Sequence, residues 1–265
     1  MGLSLVVVDL DGTIIDRDGS IGTKTLQSLE TARNMGLRVV VATGRAPRSA
    51  LKPARLVDAD SLVACNGAVA CDLRTGDLWW AKTVPPRVVR LVVRGLDALS
   101  REVWPRVHTL NEVFVAEQDA VRARLYTSTY GEACRLVADR SRLARRAVMV
   151  GVTGPPDFMH AARELVQDAI GSLARVQCGN EASFDVVAPS VSKAWAVEQL
   201  ANRLGVPRSE VAAFGDGPND VELIAWAGVG VVVGPGCPEI RKVATRQAPQ
   251  GDGVGEVLLE LLRAQ

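Results

Sequence analysis

Short apolar runs, most of them rich in valine, constrain the fold of this chain more than any other feature of its sequence. They occupy residues 5–8, 37–42, 61–64, 211–214 and 229–233. Short runs of this kind are typical of strands that are buried on both faces. Helix-like segments occur at residues 24–35, 193–204, 221–227 and 254–263. This alternation predicts an α/β fold in which parallel strands are joined by helical crossovers.

Residues at the ends of two predicted helices support these boundaries. Thr23 is placed to cap the first helix, and Gly36 follows its last turn. Ser190 or Ser192 begins the helix at 193–204, and Gly205 follows it. Ser and Thr satisfy free N–H groups at helix starts, while Gly adopts the left-handed conformation common after helix ends.

The middle of the chain has a different pattern, bounded by proline at Pro85-Pro86 and at Pro189. Between these points we predict helices at 87–99 and 156–170, with strands at 112–116, 147–153, 174–178 and 183–187. The sequence therefore predicts a core domain made of residues 1–83 and 189–265, with a smaller α/β domain inserted at 84–188. The linkers at 84–86 and 188–190 suggest a hinge between the two domains.

The overall charge excludes several classes of partner. Lys plus Arg number 31 against 30 Asp plus Glu, and the resulting net charge of +1 gives no general attraction for nucleic acid or anionic membranes. No apolar run approaches the roughly 20 residues that span a bilayer, and residues 1–5 carry no basic segment of a secretory signal. The cysteines are odd in number and show no CxxC spacing. We therefore expect a cytoplasmic protein with reduced thiols, free of nucleic acid and membrane.

The segment Asp9-Leu10-Asp11-Gly12-Thr13 places two carboxylates directly after a buried strand. Ligands of open parallel sheets bind outside the carboxyl ends of the strands, so Asp9 would emerge at the floor of a site. One carboxylate can attack phosphorus, while a second can protonate the leaving oxygen and later activate water. Turn and capping aspartates are also common after strands, and this segment alone does not separate the two interpretations.

Polar residues follow two more of the predicted strands. Thr43 and Gly44 offer a hydroxyl and accessible backbone N–H groups, although a turn carrying a solvated Arg45 explains that segment equally well. The segment at 215–220 contains Asp216 and Asp220, whose carboxylates are hard oxygen ligands suited to Mg²⁺. The alternative interpretation of this segment is a plain polar loop. A lone lysine is ordinarily a surface residue, so Lys193 becomes a candidate site residue only in combination with the other segments.

Charge counting favours a divalent cation at the shared edge of the sheet. Four acids (Asp9, Asp11, Asp216 and Asp220) face a single cation on Lys193. At an effective dielectric constant near 20, two unit charges about 4 Å apart interact by about 4 kcal/mol, so a phosphate dianion would be repelled. A bound Mg²⁺ together with a protonated Asp11 balances the charges, and the site can then accept phosphate.

These segments, in this order, resemble the four motifs of the haloacid dehalogenase (HAD) superfamily. The similarity is closest to its Cof-like phosphatases, which have a Rossmann-like parallel-sheet core and an inserted α/β cap of class IIB. The turn at Asn66-Gly67-Ala68 also resembles one that is typical of this group. The resemblance covers about 1–83 and 189–265, and the insert matches in position and rough pattern alone.

The resemblance implies a magnesium-dependent phosphatase that forms an aspartyl-phosphate on Asp9 and acts on a small phosphorylated metabolite, such as a sugar phosphate, a nucleotide or a phosphorylated cofactor. By this resemblance Asp11 is the general acid/base. The metal ligands are Asp9, the backbone carbonyl of Asp11, and Asp216. The residues expected to hold phosphate or substrate are Thr43, Lys193, Gly44, Arg45, Asn66 and Asn219, and Asp220 is expected to orient Lys193.

Two departures from the family pattern and three alternative functions bear on this expectation. Gly234-Pro235-Gly236 stands where the family often has Gly-Asn-Ala, and Lys193-Ala194 where it usually has Lys-Gly. A phosphomutase shares the acid pair and returns the phosphoryl group to its substrate. A phosphate-binding regulatory module would have lost turnover, whereas a dehalogenase needs neither Asp11 nor the metal. The histidines, His108 and His160, are too few and too far apart for a zinc site, although His108 could face the substrate from within the insert.

Overall fold

The computed structural model describes residues 2–16 and 18–264 and contains two β-sheets. The strands, in chain order, are β1 (Leu5–Val8), β2 (Arg38–Ala42), β3 (Ser61–Ala64), β4 (Val69–Asp72), β5 (Leu78–Ala81), β6 (Trp104–His108), β7 (Val113–Ala116), β8 (Cys134–Val137), β9 (Met149–Thr153), β10 (Arg175–Asn180), β11 (Ser183–Val187), β12 (Val211–Gly215), β13 (Val229–Val233) and β14 (Arg246–Ala248). The helices are α1 (Thr23–Asn34), α2 (Pro47–Leu56), α3 (Pro86–Leu99), α4 (Ala120–Tyr130), α5 (Pro156–Ile170), α6 (Lys193–Leu204), α7 (Val221–Trp226), α8 (Pro238–Val243) and α9 (Gly253–Arg263).

The valine-rich runs form the centre of an eight-stranded sheet with the order β14-β13-β12-β1-β2-β3-β4-β5. The first six strands in this order are parallel, and β4 and β5 add an antiparallel hairpin at one edge. All four residues of β1 are fully buried, because helices cover both faces of the sheet. Val6 and Val8 pack into a cluster with residues of α1 and α9, whereas Leu5 and Val7 pack with α6 and α7. The predicted α/β class is confirmed.

The second sheet has six strands in the order β10-β11-β9-β6-β7-β8, and all of them come from residues 104–187. Its pairs are antiparallel except for β7 with β8. Helices α3 and α5 cover one face, where Val107, Val150 and Val186 contribute to the apolar cluster. Side chains alternate along a strand, so the residues between these valines occupy the opposite face.

The helix beginning at residue 193 follows the sequence prediction, while the start of α1 does not. Ser192 caps α6, since its Oγ accepts a hydrogen bond from the backbone N–H of Trp195 at 3.1 Å. Thr23, in contrast, is the first residue of α1 and does not cap it. Asp252, just before α9, accepts from the N–H of Thr25 at 3.0 Å instead. Gly36 does adopt a positive φ of 89° after the helix, as predicted.

None of the helices among residues 2–16 and 18–264 combines the length and the apolar character that a membrane crossing demands.

Candidate active site

The carboxyl ends of three adjacent parallel strands bring the predicted polar residues to one edge of the large sheet. β1 lies between β12 and β2, so Asp9 follows the central strand of the three. Thr43 follows β2, and Asp216 follows β12. The fourth element is α6, whose first residue is Lys193. The strand order therefore gathers segments that are up to about 200 residues apart in sequence.

Lys193 is fully buried and is held between two carboxylates. Its Nζ lies 2.7 Å from Asp220 Oδ1 and 2.9 Å from Asp9 Oδ1. Burial by itself would lower the pKa of Lys193, but the two neighbouring carboxylates outweigh it and raise that pKa above its usual value. The lysine therefore keeps its charge, and it supplies a fixed cation at the base of the site.

Asp220 is also fully buried, and both of its carboxylate oxygens have partners. Oδ1 accepts from Lys193, while Oδ2 accepts from the backbone N–H groups of Asp216 at 3.2 Å and Gly217 at 3.1 Å. These bonds fix Asp220 between the lysine and the loop that carries Asp216. Asp220 therefore contacts Lys193 directly, as the prediction that it orients this lysine requires.

Three carboxylates crowd together around this lysine. Oxygens of Asp9, Asp216 and Asp220 all lie within 4.8 Å of one another. Burial raises the pKa of Asp9 well above its usual range, and Lys193 opposes that shift. Burial likewise raises the pKa of Asp216 to about 6, although Thr13 Oγ1 donates to Asp216 Oδ1 at 2.7 Å. One lysine does not neutralise three acids, so the cluster has the excess of oxygen ligands and negative charge that suits a divalent cation.

Asp11 is not one of the three clustered acids. Its side chain is 54% exposed and forms an ion pair with Arg45, whose Nε donates to Oδ2 at 2.7 Å and whose Nη2 donates to Oδ1. The guanidinium of Arg45 also lies 5.4 Å from the ring centre of Tyr130, the last residue of α4. Arg45 thus connects the second acid of the sequence motif to a helix that packs with the small sheet.

Short contacts join four further predicted residues, which are Thr43, Gly44, Asn66 and Asn219. Thr43 is buried, and its Oγ1 accepts from the backbone N–H of Arg45 at 3.1 Å. A Cβ on Gly44 would lie 3.3 Å from Asn66 Oδ1, so the space beside this glycine is small. Asn66 Oδ1 accepts from Asn219 Nδ2 at 2.9 Å, which joins the turn after β3 to the loop after β12.

The site opens into a cavity of about 690 Å³ that lies between the two sheets. The predicted site residues on its wall are Asp9, Asp11, Thr43, Gly44, Arg45, Asp216 and Asn219. Lys193, Asp220 and Asn66 do not line the cavity and contact residues that do. The opposite wall comes from the small sheet and α4, including Trp104, Arg106, His108, Tyr126 and Asp185.

Sequence reasoning missed several residues of this site. Thr13 was part of the first motif, and its hydrogen bond to Asp216 could have been anticipated from the two adjacent strand ends. Gln250 Nε2 donates to the backbone carbonyl of Gly12 at 3.2 Å, and no local pattern points to it. Pro235 lies in the loop before Cys237, whose N–H donates to the carbonyl of Asp216 at 3.2 Å. The unusual Gly-Pro-Gly segment is therefore next to the acid cluster.

His108 gives a prediction for stability. Burial, assisted by the charge of Arg106, lowers the pKa of His108 from 6.5 to about 3. Between these pH values the unfolded chain binds a proton at this residue and the folded chain does not. The free energy of unfolding therefore falls as pH drops below 6.5, with this residue contributing up to about 1.4 kcal/mol per pH unit. Urea denaturation at pH 7.5, 6 and 5 should show a shallower loss for His108→Gln than for wild type.

The control for this experiment is His160→Gln. His160 lies on α5, which covers the small sheet, and its side chain is 70% exposed. That variant should follow the wild-type pH dependence. Equal pH slopes for wild type and His108→Gln would contradict the assignment of a neutral buried imidazole.

The sequence of this chain is similar to known proteins over most of its length. A family profile described as haloacid dehalogenase-like hydrolase matches residues 6–258. The 5-amino-6-(5-phospho-D-ribitylamino)uracil phosphatase YitU of Bacillus subtilis is 26% identical over 270 residues, which cover 97% of this chain and 96% of that protein. A putative phosphatase of Streptococcus pyogenes is 23% identical over 251 residues, 92% of each chain.

Solved structures share the fold over nearly the whole chain. A haloacid dehalogenase-like hydrolase from Bacteroides thetaiotaomicron superposes with a TM-score of 0.86 at 20% identity, covering 98% of this chain and 99% of that one. The sugar phosphatase BT4131 of HAD subclass IIB superposes with a TM-score of 0.82 at 18% identity, covering 97% and 98%. Both sheets described above are therefore part of a recurrent arrangement.

Proposed function

Because this chain belongs to the haloacid dehalogenase-like hydrolases, in their Cof-like group of phosphoric monoester hydrolases, we propose that Asp9 attacks the substrate phosphorus and carries an aspartyl-phosphate intermediate. The observation that carries the proposal is the contact of Asp9 with the buried Lys193, 2.9 Å away, at an edge of the sheet that faces the cavity. A carboxylate fixed beside a permanent cation, with open space in front of it, is suited to attack an anionic group.

Magnesium is the proposed cofactor of this reaction. The two carboxylates available to it are those of Asp9 and Asp216, because both oxygens of Asp220 already accept hydrogen bonds. The backbone carbonyl of Asp11 is the further ligand that the family pattern suggests. A bound divalent cation would balance the excess negative charge of the cluster and withdraw electrons from the phosphoryl oxygens.

The remaining residues divide the work of two successive displacements. In the first, an Asp9 oxygen bonds to phosphorus as the bond to the leaving oxygen breaks, and Asp11 gives that oxygen a proton. In the second, water attacks phosphorus, Asp11 takes up a proton, and the Asp9–phosphorus bond breaks to release inorganic phosphate. Thr43 and Lys193 are proposed to hold the phosphoryl oxygens throughout. Asp11 becomes free to act when Arg45 leaves it, and we propose that Arg45 then contacts the substrate with Gly44 and Asn219.

We propose that the unit formed by residues 84–188 acts as a cap over a core of residues 1–83 and 189–265. The cavity wall that it supplies lies across from Asp9, where the leaving group of a substrate must sit. The names of the relatives given above refer to small phosphorylated compounds, a phosphoribityl-aminouracil and sugar phosphates. The proposed substrate is accordingly a small phosphorylated metabolite in the cytoplasm, and the net charge of +1 favours neither nucleic acid nor membrane as a partner.

Removal of the metal tests this proposal directly. With 5-fold excess EDTA over Mg²⁺, hydrolysis of a generic aryl phosphate should fall by about 10²-fold, because the acids would again repel the phosphate dianion. Release of inorganic phosphate is the readout, since it separates hydrolysis from transfer to a second substrate molecule. Restoring free Mg²⁺ should restore the rate. Full activity in EDTA would contradict the proposed cofactor, and the absence of turnover under every condition would favour a binding module.

A further inference from the structure

One row of residues across the small sheet faces the cavity. It belongs to the wall that lies across from the acid cluster. Arg106 on β6 pairs with Gly151 on β9, and Gly151 pairs in turn with Asp185 on β11. The neighbouring valines on each strand point to the opposite face, into the cluster under α3 and α5. Arg106 and Asp185 therefore stand on either side of a glycine, on the surface that the small unit presents to the substrate cavity.

Three polar groups converge over Gly151 and occupy the space that a side chain at this position would need. A Cβ at this position would lie 3.0 Å from His108 Nε2, 3.1 Å from Arg106 Nη2 and 3.2 Å from Asp185 Oδ1. These separations are shorter than ordinary van der Waals contacts of a methyl group, so no side chain fits here unless the three groups move. All three groups line the cavity, so a ligand there can meet a cationic donor, an imidazole nitrogen and a carboxylate acceptor that lie close to one another.

Several of these groups lack hydrogen-bond partners although they are buried. Arg106 and His108 are 7% and 2% exposed, and neither Arg106 Nε nor either ring nitrogen of His108 bonds to any part of the chain that the structure describes. A buried polar group without a partner costs about 1–3 kcal/mol. Arg106 and Asp185 do not form an ion pair in the part of the chain that the structure describes, because no nitrogen of Arg106 comes within 4.0 Å of the Asp185 carboxylate.

The surrounding residues hold this arrangement in place. The guanidinium of Arg106 lies 4.6 Å from the ring centre of Trp104 and 5.2 Å from that of Tyr126, and its Nη1 donates to Thr153 Oγ1 at 2.8 Å. Asn66 Nδ2 donates to Asp185 Oδ2 at 2.8 Å, which leaves Oδ1 facing the glycine. The two charged groups are thus fixed apart before any ligand arrives, and little entropy is lost when one binds.

The chemistry of the pair selects one kind of ligand. Arg106 can donate and cannot accept, whereas ionised Asp185 can accept and cannot donate. A second phosphate or a carboxylate would bind Arg106 and be repelled by Asp185. An ammonium group would bind Asp185 and be repelled by Arg106. A neutral group that carries an acceptor beside a donor satisfies both, while His108 can serve either role.

We propose that Arg106, His108 and Asp185, over Gly151, form the subsite that binds the leaving group of the substrate through a neutral donor–acceptor edge. Two sources share this chemistry: the hydroxyl groups of a polyol and the amide-like edge of a heterocycle. The inference rests on the proposed phosphatase function for the position of the phosphate, and it adds the chemical class of the group to which that phosphate is attached.

Three phosphate esters distinguish the possibilities. Ribitol 5-phosphate offers hydroxyl groups alone, 2′,3′-dideoxyuridine 5′-monophosphate offers a heterocyclic edge without free ribose hydroxyls, and butyl phosphate offers neither. For wild type, kcat/KM should be at least 30-fold higher for one of the first two esters than for butyl phosphate. Gly151→Ala retains every charge but places a methyl group within 3.2 Å of all three polar groups and displaces them, so kcat/KM for the preferred ester should fall at least 10-fold relative to kcat/KM for butyl phosphate.

A second variant and two matched controls guard against general damage. Arg106→Met should remove the same preference, while Arg135→Met, at an arginine of the same sheet that is 64% exposed, should not. Gly95→Ala changes a glycine of α3 outside the cavity and is the control for Gly151→Ala. The proposal is overturned if wild type treats all three esters alike within 3-fold, or if its preference persists in both Gly151→Ala and Arg106→Met.

Failure of the proposed catalytic function would be visible separately. If wild type hydrolyses none of the esters, calorimetric binding of the same three compounds replaces the rates, because the subsite needs no turnover to bind. Tighter binding of one polar ester, lost in Gly151→Ala, would support the subsite and reject the phosphatase. Equal binding of the three esters would reject the subsite.

Discussion

Asp9→Asn is expected to lower kcat for aryl phosphate hydrolysis by at least about 10⁴-fold, as the removal of a nucleophile does in other covalent catalysts. The amide retains the shape of the carboxylate and cannot form the phosphoryl bond. Phosphate release under saturating substrate and Mg²⁺ measures the effect. Asp168→Asn is the matched control, because Asp168 is exposed on α5 and far in sequence from the acid cluster.

The same substitution should not destabilise the fold. Asp9 is one of three carboxylates within 4.8 Å, and burial raises its pKa, so its charge is costly in the metal-free protein. The thermal midpoint of Asp9→Asn without Mg²⁺ should therefore equal or exceed that of wild type. Loss of activity with a preserved midpoint assigns the effect to chemistry. Activity within 10-fold of wild type would instead reject Asp9 as the nucleophile.

Lys193→Met should affect both stability and rate. The substitution leaves Asp220 and Asp9 buried without their cation, and breaking such a pair costs about 3–5 kcal/mol. Loss of a fixed charge beside the transferring phosphoryl group should lower kcat/KM by about 10³-fold. Chemical denaturation at pH 7.5 and steady-state kinetics measure the two effects. Lys242→Met, at an exposed lysine of α8, is the control for both.

The pH dependence of this variant has a defined sign. Burial raises the pKa of Asp9 and Lys193 opposes that rise, so without the lysine the pKa of Asp9 rises further and the folded chain binds more protons than the unfolded chain. The stability deficit should therefore shrink as pH falls from 7.5 to 5. The double variant Lys193→Met/Asp220→Asn should recover part of the deficit at pH 7.5. A single variant that is as stable as wild type at that pH would show that the ion pairs contribute nothing.

The parts of the fold that sequence could predict are those set by local pattern. The parallel strands of the large sheet were readable because their apolar runs are buried on both faces, and Ser192 was readable as a helix cap. The cap of α1 was not, since its acceptor is Asp252, more than 220 residues away in sequence. The hairpin of β4 and β5 was also missed, although the four residues of β5 are all apolar, because its place at the edge of the sheet depends on pairing with β4.

The candidate site divides in the same way. Strand ends that follow apolar runs identified Asp9, Thr43 and Asp216 as neighbours, and strand order alone brings them together. Arg45 was expected to contact phosphate, yet here it pairs with Asp11, a choice that depends on side-chain geometry. Arg106 and Asp185 carried no sequence signal, because which face of the small sheet meets the cavity depends on register and packing.

The position of β1 in the large sheet has a consequence for how the chain is made. One neighbour of β1 is β12, so β1 lacks one of its two partners until the chain from Val211 onward has been synthesised. At about 5–20 residues per second, the ribosome needs roughly 10–40 s to synthesise the intervening residues. Throughout that interval an apolar strand presents an open edge, of the kind that templates aggregation. We therefore expect β1 to need shielding in the nascent chain, while the small sheet, whose strands all lie within residues 104–187, has its complete set of partners earlier.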